Sequence, residues 1–265
     1  MILGIAGRKQ AGKNTTANIL HGIILKEQGY VNDWQIGSRG QLLVNTHDPD
    51  SYGEFWIERK DEEFVTWADN NMWPFVKLYS FADNLKAICM DLFDIPFRCL
   101  YGTDEEKNQV QEHLLWENMP GVITCSEVWD SLCPDGEPDG LMYHAAGPMT
   151  AREFMQFLGT DVMRKIYEPV WVNSCIKKIQ REQSELAIIA DVRFPNEAKA
   201  IEQAGGKVVR LTRNVHEDNH SSEVALDDYS FTDYIDNKNE SIDDLMMKVK
   251  QFYKYLKESN ASNVC

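Results

Sequence analysis

The sequence predicts an α/β fold built on a central parallel sheet, and three observations predict it. Residues 2–6 and 186–190 are short, unbroken apolar runs with no polar alternation, the pattern of strands buried on both faces. Strand-like and helix-like segments alternate along much of the chain. A glycine-bounded loop, Gly7 to Gly12, stands between the first strand and the first helix.

In chain order, residues 2–6 read as the first strand and 13–29 as the first helix. Residues 32–74 read as an irregular, polar insertion carrying Trp34, Trp56, Trp67 and Trp73. A strand at 75–80 and a helix at 82–93 follow, then a second irregular stretch at 94–149 rich in Pro, Gly and acids. Thr150 and Glu153 form a capping box that opens a helix, and apolar spacing at Phe154, Phe157 and Leu158 carries it to Gly159. Helices are expected at 160–167 and 171–183, and the buried strand 186–190 ends at Asp191. Residues 196–204 read as a helix stopped by Gly205-Gly206, 207–212 as a strand, Tyr234-Ile235 as a short edge strand, and 241–258 as an amphipathic helix. The expected organisation is one domain over 1–265 with insertions at about 31–74 and 94–149. Ligands of such sheets bind at the carboxyl ends of the strands, which places Gly7, Ser80, Asp191 and Thr212 along one edge.

Composition narrows the function. The 42 acidic residues outnumber the 27 basic ones, for a net charge of −15, which opposes nonspecific binding to nucleic acid. The first apolar run is cut short by glycine and charge, unlike a secretory leader. No stretch approaches the roughly 18 apolar residues of a membrane span. The six cysteines lack CxxC spacing, so reduced thiols and a cytoplasmic location are expected, and the Asn-x-Ser/Thr sequons read as chance matches.

Gly7, Gly12 and Lys13 satisfy G-x-x-x-x-G-K in a strand–loop–helix context. The backbone from Gly7 through Lys9 and Ala11 to Thr15 would wrap phosphate oxygens, and Lys13 would reach the β- and γ-phosphates of ATP. Asn14 stands where the motif has Ser or Thr; its amide oxygen can face a water on Mg²⁺, and Thr15 offers a hydroxyl to a phosphate. Asp191, at a strand end, suits a second water-mediated contact to that Mg²⁺, or else caps the next turn. Arg193, two residues on, lies on the same side of an extended chain and could face a phosphate. Arg152, Gln156 one turn later, and Arg164 are further candidates for phosphate recognition, with solvated surface positions as the alternative. Trp171 could stack on a base or simply fill the core. If the acceptor is a nucleoside monophosphate, its second pKa is about 6, so no general base is required. The task is then to bring two anions together, for which Lys13, Arg152, Asp191 and Arg193 are the catalytic candidates.

His216-Glu217-Asp218-Asn219-His220 matches HExxH, but the Asn and Asp residues around it favour a turn over a zinc-binding helix.

These blocks together resemble the bacteriophage deoxynucleoside monophosphate kinases, relatives of adenylate and guanylate kinases. The resemblance rests on Gly-Arg-Lys-Gln-Ala-Gly-Lys-Asn-Thr near the start, Ser-Phe-Ala-Asp-Asn-Leu-Lys at 80–86 and Thr-Ala-Arg-Glu-Phe-Met-Gln-Phe-Leu-Gly-Thr-Asp at 150–161. Trp171-Val172, Asp-Val-Arg-Phe-Pro-Asn-Glu-Ala at 191–198, the following Gly-Gly-Lys-Val-Val-Arg-Leu and His-Ser-Ser-Glu at 220–223 extend it. It implies a three-layer P-loop kinase fold whose insertions supply lid and monophosphate-binding regions. It further implies transfer of the γ-phosphate of ATP to a deoxynucleoside monophosphate, supplying DNA precursors in a host cytoplasm, and it is compatible with a homodimer. By position, Gly12, Lys13, Asn14 and Thr15 would hold ATP phosphates, while Asp83, Arg152, Gln156, Trp171, Asp191, Arg193 and Glu197 would surround the acceptor. The family often has Asp where this chain has Asn14. Another P-loop small-molecule kinase, acting on phosphomevalonate or dephospho-coenzyme A, and a noncatalytic nucleotide-binding module are the alternatives.

Overall fold

Continuous apolar sequence at Ile2–Ala6 makes β1, every residue of which is buried. The computed structural model describes residues 1–46, 51–125, 142–213, 225–238 and 240–262. After β1 come α1 (Lys13–Glu27), β2 (Asp33–Ile36), β3 (Leu42–Asn45), β4 (Gly53–Glu54), α2 (Glu62–Asn71) and β5 (Val76–Tyr79). The chain continues with α3 (Asp83–Phe93), α4 (Phe97–Tyr101), α5 (Asp104–Lys107), β6 (Val110–Leu115), β7 (Val122–Cys125), β8 (Met142–Ala145) and β9 (Pro148–Thr150). It closes with α6 (Ala151–Gln156), α7 (Val170–Glu182), β10 (Leu186–Val192), α8 (Pro195–Gln203), β11 (Lys207–Leu211), β12 (Asp233–Ile235) and α9 (Ile242–Ser262). Two compact units result, one formed by residues 1–81 with 172–265 and the other by 82–171.

In the first unit β12, β11, β1, β10 and β5 lie side by side in that order, all parallel. The two-residue period of a strand sends alternate side chains to opposite faces. Leu3 and Ile5 accordingly join Leu186, Ile188, Leu20 of α1 and Val249 of α9 in one core. Ile2 and Ala6 join Ala187, Ile189, Ile179 of α7 and Ile201 of α8 in another. Because the strands are parallel, their carboxyl ends share one edge. Gly7, Ser80 and Thr212 each directly follow a strand there, as expected. Asp191 does not follow its strand: β10 runs on to Val192, whose Cα pairs with that of Ala6 after a local register shift, so Asp191 sits inside the ladder.

Residues 32–74 are not irregular. β2, β3 and β4 form a small antiparallel sheet, and α2 is capped by Asp61, whose Oδ1 accepts from the Phe64 N–H at 3.1 Å. Trp34, Leu42 and Phe64 bury themselves in the core beneath α1. Strands of two to four residues are too short to show a period in the sequence, which is why composition alone reads them as loop.

The second unit also holds more regular structure than the sequence suggests, since 94–149 contains α4, α5 and short strands, with β6 pairing antiparallel to β9. Thr150 does form a capping box: the Glu153 N–H donates to Thr150 Oγ1 at 3.2 Å and the Thr150 N–H to Glu153 Oε2 at 2.7 Å. The helix it opens does not break at Gly159. It widens into a π-helical stretch over Phe157–Arg164, and the Gly159 carbonyl accepts from Trp171 Nε1 at 3.0 Å. Leu100, Met149, Phe154 and Trp171 fill this unit's core.

His21 of α1 is fully buried, and its Nδ1 lies 2.8 Å from the Ala17 carbonyl oxygen. Burial disfavours the imidazolium and pulls the pKa down to about 4. The unfolded chain therefore binds a proton that the folded chain refuses between pH 6.5 and about 4. The native state loses about 3 kcal/mol as the pH falls through that window. Urea denaturation at pH 7 and pH 4.5 should show this drop, and it should shrink in His21→Gln.

Among the described residues no helix is long and apolar enough to cross a membrane.

Candidate nucleotide-binding site

The chain leaves β1 at the carboxyl edge and turns through residues 7–12 into α1. Gly12 has φ of 98°, a left-handed conformation that an L side chain rarely adopts, and it starts the helix without a side-chain cap. The first-turn N–H groups of α1 are thus left facing the loop. Lys13 folds back over it, its ammonium donating to the carbonyls of Gly7 at 2.6 Å and Arg8 at 2.9 Å. Ala11 is buried, Lys9 and Asn14 are exposed, and Thr15 is half-buried. Thr16 turns inward instead, its Oγ1 donating to the Gly12 carbonyl at 3.0 Å. Arg8 is tied to Asp227, which also takes Arg210 at 2.6 Å.

Two contacts that the sequence does not advertise fix this loop. Asn237, just beyond β12 and 2% exposed, donates from Nδ2 to the Ala11 carbonyl at 2.8 Å and accepts the Arg213 N–H at 2.9 Å. On the other side Gly40, with φ of 82°, approaches Thr15 so closely that a Cβ would stand 2.3 Å from Thr15 Oγ1. Asn18 of α1 locks that turn by donating to the Gly40 carbonyl at 2.8 Å. Neither residue belongs to a motif; Asn237 offered a signal only as a buried amide beyond an edge strand at the ligand edge.

Further along the edge, Ser80 Oγ donates to Asp191 Oδ2 at 2.7 Å. Arg193 is exposed two residues on. Glu197 is 4% exposed, and its Oε2 accepts the N–H groups of Arg193 at 2.7 Å and Phe194 at 3.1 Å. Its carboxylate thus holds the turn that carries Arg193. Near Thr212, the Asp236 carboxyl is held below its usual range by the Thr212 hydroxyl and then by the Lys238 N–H.

Two cavities flank the Thr15–Gly40 contact. One, of about 370 Å³, opens on the β11–β12 side and is lined by Gln10, Gly12, Arg213, Asn237, Glu240 and Ser241 among others. The second, about 230 Å³, lies towards β5, with Asn14, Thr15, Asn18, Arg39, Trp56 and Glu58 on its walls.

The structure thus brings Gly7, Lys9, Ala11, Gly12, Lys13, Asn14, Thr15, Asp191, Arg193 and Glu197 into one unit, and places Asp83, Arg152, Gln156, Arg164 and Trp171 in the other. Asp83 opens α3. Arg152 and Gln156 are both exposed on one face of α6, and Arg152 pairs with Asp104 at 2.5 Å. Arg164 is half-buried, and Trp171 is 5% exposed with its indole packed in the unit's core. The HExxH segment at 216–220 and His-Ser-Ser-Glu at 220–223 lie outside the described residues.

A sequence model of the deoxynucleotide monophosphate kinase family matches residues 137–249, a stretch that takes in Arg152, Gln156, Arg164, Trp171, Asp191, Arg193 and Glu197. Over that stretch the sequence is similar to the deoxynucleotide monophosphate kinases. A protein of Acanthamoeba polyphaga mimivirus, provisionally named a deoxynucleotide monophosphate kinase, is 25% identical over 187 residues, covering 64% of this chain and 79% of its own length. The deoxynucleoside-5'-monophosphate kinase of Escherichia phage T5 is 29% identical over 111 residues, 42% of this chain and 40% of the T5 enzyme. The match to the T5 kinase therefore spans less than half of either chain, and the family match leaves the loop at residues 7–15 outside it.

Proposed function

We propose that this protein transfers the γ-phosphate of ATP to a deoxynucleoside 5'-monophosphate, giving the diphosphate, on a three-layer P-loop kinase fold. The observation that carries this reading is the phosphate-type loop with Lys13 folded over it, on the same sheet edge as Asp191 and Arg193. The names of the mimivirus and T5 relatives supply the acceptor class.

An acceptor phosphate with a second pKa of about 6 is already a nucleophile at pH 7. The chain's task is positioning and charge. Lys13 exchanges its bonds to the Gly7 and Arg8 carbonyls for oxygens of the transferred phosphate, while the backbone of Gly12 and the first turn of α1 hold the rest. Arg193, set by Glu197, offers a planar pair of donors to the acceptor phosphate. Ser80 fixes the carboxylate of Asp191. Carboxylate and amide oxygens are the donors a hard cation prefers, so Asp191 and Asn14 fit Mg²⁺ held through water. When bound, that ion neutralises charge on the phosphate oxygens. The reading places ATP in the larger cavity beside Gly12.

A coupled ADP-release assay with ATP and Mg²⁺, run on each deoxy- and ribonucleoside monophosphate in turn, tests this. Release that depends on one or more deoxynucleotides is expected. ATP binding without any acceptor-dependent release would replace the reading with a different phosphate acceptor or a noncatalytic module.

A further inference from the structure

We propose that Arg39, a residue of the insertion, binds the phosphate donor: its guanidinium closes on the ATP phosphate that meets Thr15. The inference rests on the reading of residues 7–15 as an ATP site and adds to that site a cation that the loop motif does not contain.

Arg39 sits in the turn between β2 and β3, and this turn is fixed against the phosphate loop. The Gly40 N–H donates to the Gly37 carbonyl at 2.8 Å, and the Gly37 N–H to the Gln41 carbonyl at 2.9 Å. The Arg39 N–H donates to Gln41 Oε1 at 3.0 Å. Asn18 then ties the closed turn to α1 through the Gly40 carbonyl. A Cβ on Gly40 would fall 2.3 Å from Thr15 Oγ1. The Gly40 Cα is therefore within about 4 Å of that hydroxyl, and the Arg39 Cα, one peptide away, within about 8 Å. An extended arginine side chain with one hydrogen bond at its end covers that distance. Arg39 also lines both of the cavities that flank the Thr15–Gly40 contact.

Its guanidinium is loosely held. The contact to Glu54 Oε2 is 3.6 Å, longer than a hydrogen bond, and the arginine side chain is 78% exposed. An ion pair so open to water contributes little, whereas a charge-assisted, two-pronged contact to phosphate is strong, so exchanging Glu54 for phosphate is favourable. Arg8 is placed differently. It belongs to the loop itself, yet Asp227 takes its guanidinium together with that of Arg210. Lys13 lies over the Gly7 and Arg8 carbonyls and serves the transferred phosphate. In a chain of net charge −15 the Thr15 side of the loop needs a cation of its own, and Arg39 supplies it.

Calorimetric titration of the full-length protein with ATP and Mg²⁺ tests this without depending on turnover. Arg39→Met keeps an unbranched stem and removes the charge. It should weaken ATP about tenfold, the expected loss for a charge-assisted hydrogen bond. Its melt without ligand should stay within about 2 °C of wild type, because the side chain it replaces is exposed. Glu54→Gln, which releases the guanidinium, should bind ATP at least as tightly as wild type. A loss of less than about threefold in Arg39→Met would overturn the proposal. So would a larger fall in its melting point, or weakened ATP binding in Glu54→Gln, since either would make the Arg39–Glu54 pair a tie within the fold. Wild type that binds no ATP would instead overturn the donor-site reading on which the proposal rests.

Discussion

Lys13→Ala should lower the rate of phosphoryl transfer on the order of 10²–10³-fold while leaving the fold intact. That magnitude is the usual cost of deleting one preorganised donor to charge that develops in the transition state. In the resting structure the ammonium is held by the carbonyls of Gly7 and Arg8, so it waits within reach of the space the loop encloses. Both carbonyls belong to half-buried residues and can turn to water, so the stability change should stay within about 0.5 kcal/mol. ADP release under saturating acceptor measures the first effect and a thermal melt the second. Activity near the wild-type level would remove residues 7–15 from phosphate handling, and with it the basis of the kinase assignment.

Asn237→Ala should be the most disruptive single change at the site that touches no motif. The side chain is 2% exposed and bridges the Ala11 carbonyl and the Arg213 N–H. Truncation strands both groups, for a loss of about 2–4 kcal/mol, which corresponds to a midpoint lower by roughly 5–15 °C. ATP affinity should fall as well, because the loop loses its tie to the β12 end of the sheet. Asn237→Asp provides the internal comparison: it keeps an acceptor for the Arg213 N–H but sets a carboxylate against the Ala11 carbonyl. It should be no better than alanine. A melt within about 2 °C of wild type for both variants would show that the bridge is incidental.

The central sheet was legible because burial on both faces leaves an unmistakable mark: β1 and β10 are runs of apolar residues, and their lengths and edges follow from the residues that interrupt them. The loop was legible because Gly7, Gly12 and Lys13 stand at the motif's spacing, and Gly12 holds a left-handed φ that side chains rarely adopt. The short strands β2 to β4 were not, since they are fixed by the packing of Trp34 and Leu42 under α1 and not by any local period. Asp191 was placed one step too far along because a carboxylate looks like a strand terminator, whereas here Ser80 partners it while the ladder runs on to Val192. Glu197 was read as facing an acceptor; the structure shows it accepting backbone N–H groups, a role that sequence cannot distinguish from ligand contact. Asn237, more than two hundred residues from Ala11, became visible only once the chain was folded.

The seating of Gly40 against Thr15 bears on how this protein can change over generations. A side chain at position 40 would have to hold a left-handed φ of 82° and turn the Thr15 hydroxyl aside, away from any phosphate it could meet. Most of the insertion can drift freely so long as its apolar residues stay buried, but this turn cannot. Residues 37–41 are therefore bound to the same selective pressure as the phosphate loop itself, although nothing in their composition marks them out. Variants that remodel the outer parts of the insertion should be recovered readily, and those that replace Gly40 rarely, because the left-handed backbone there disfavours any side chain.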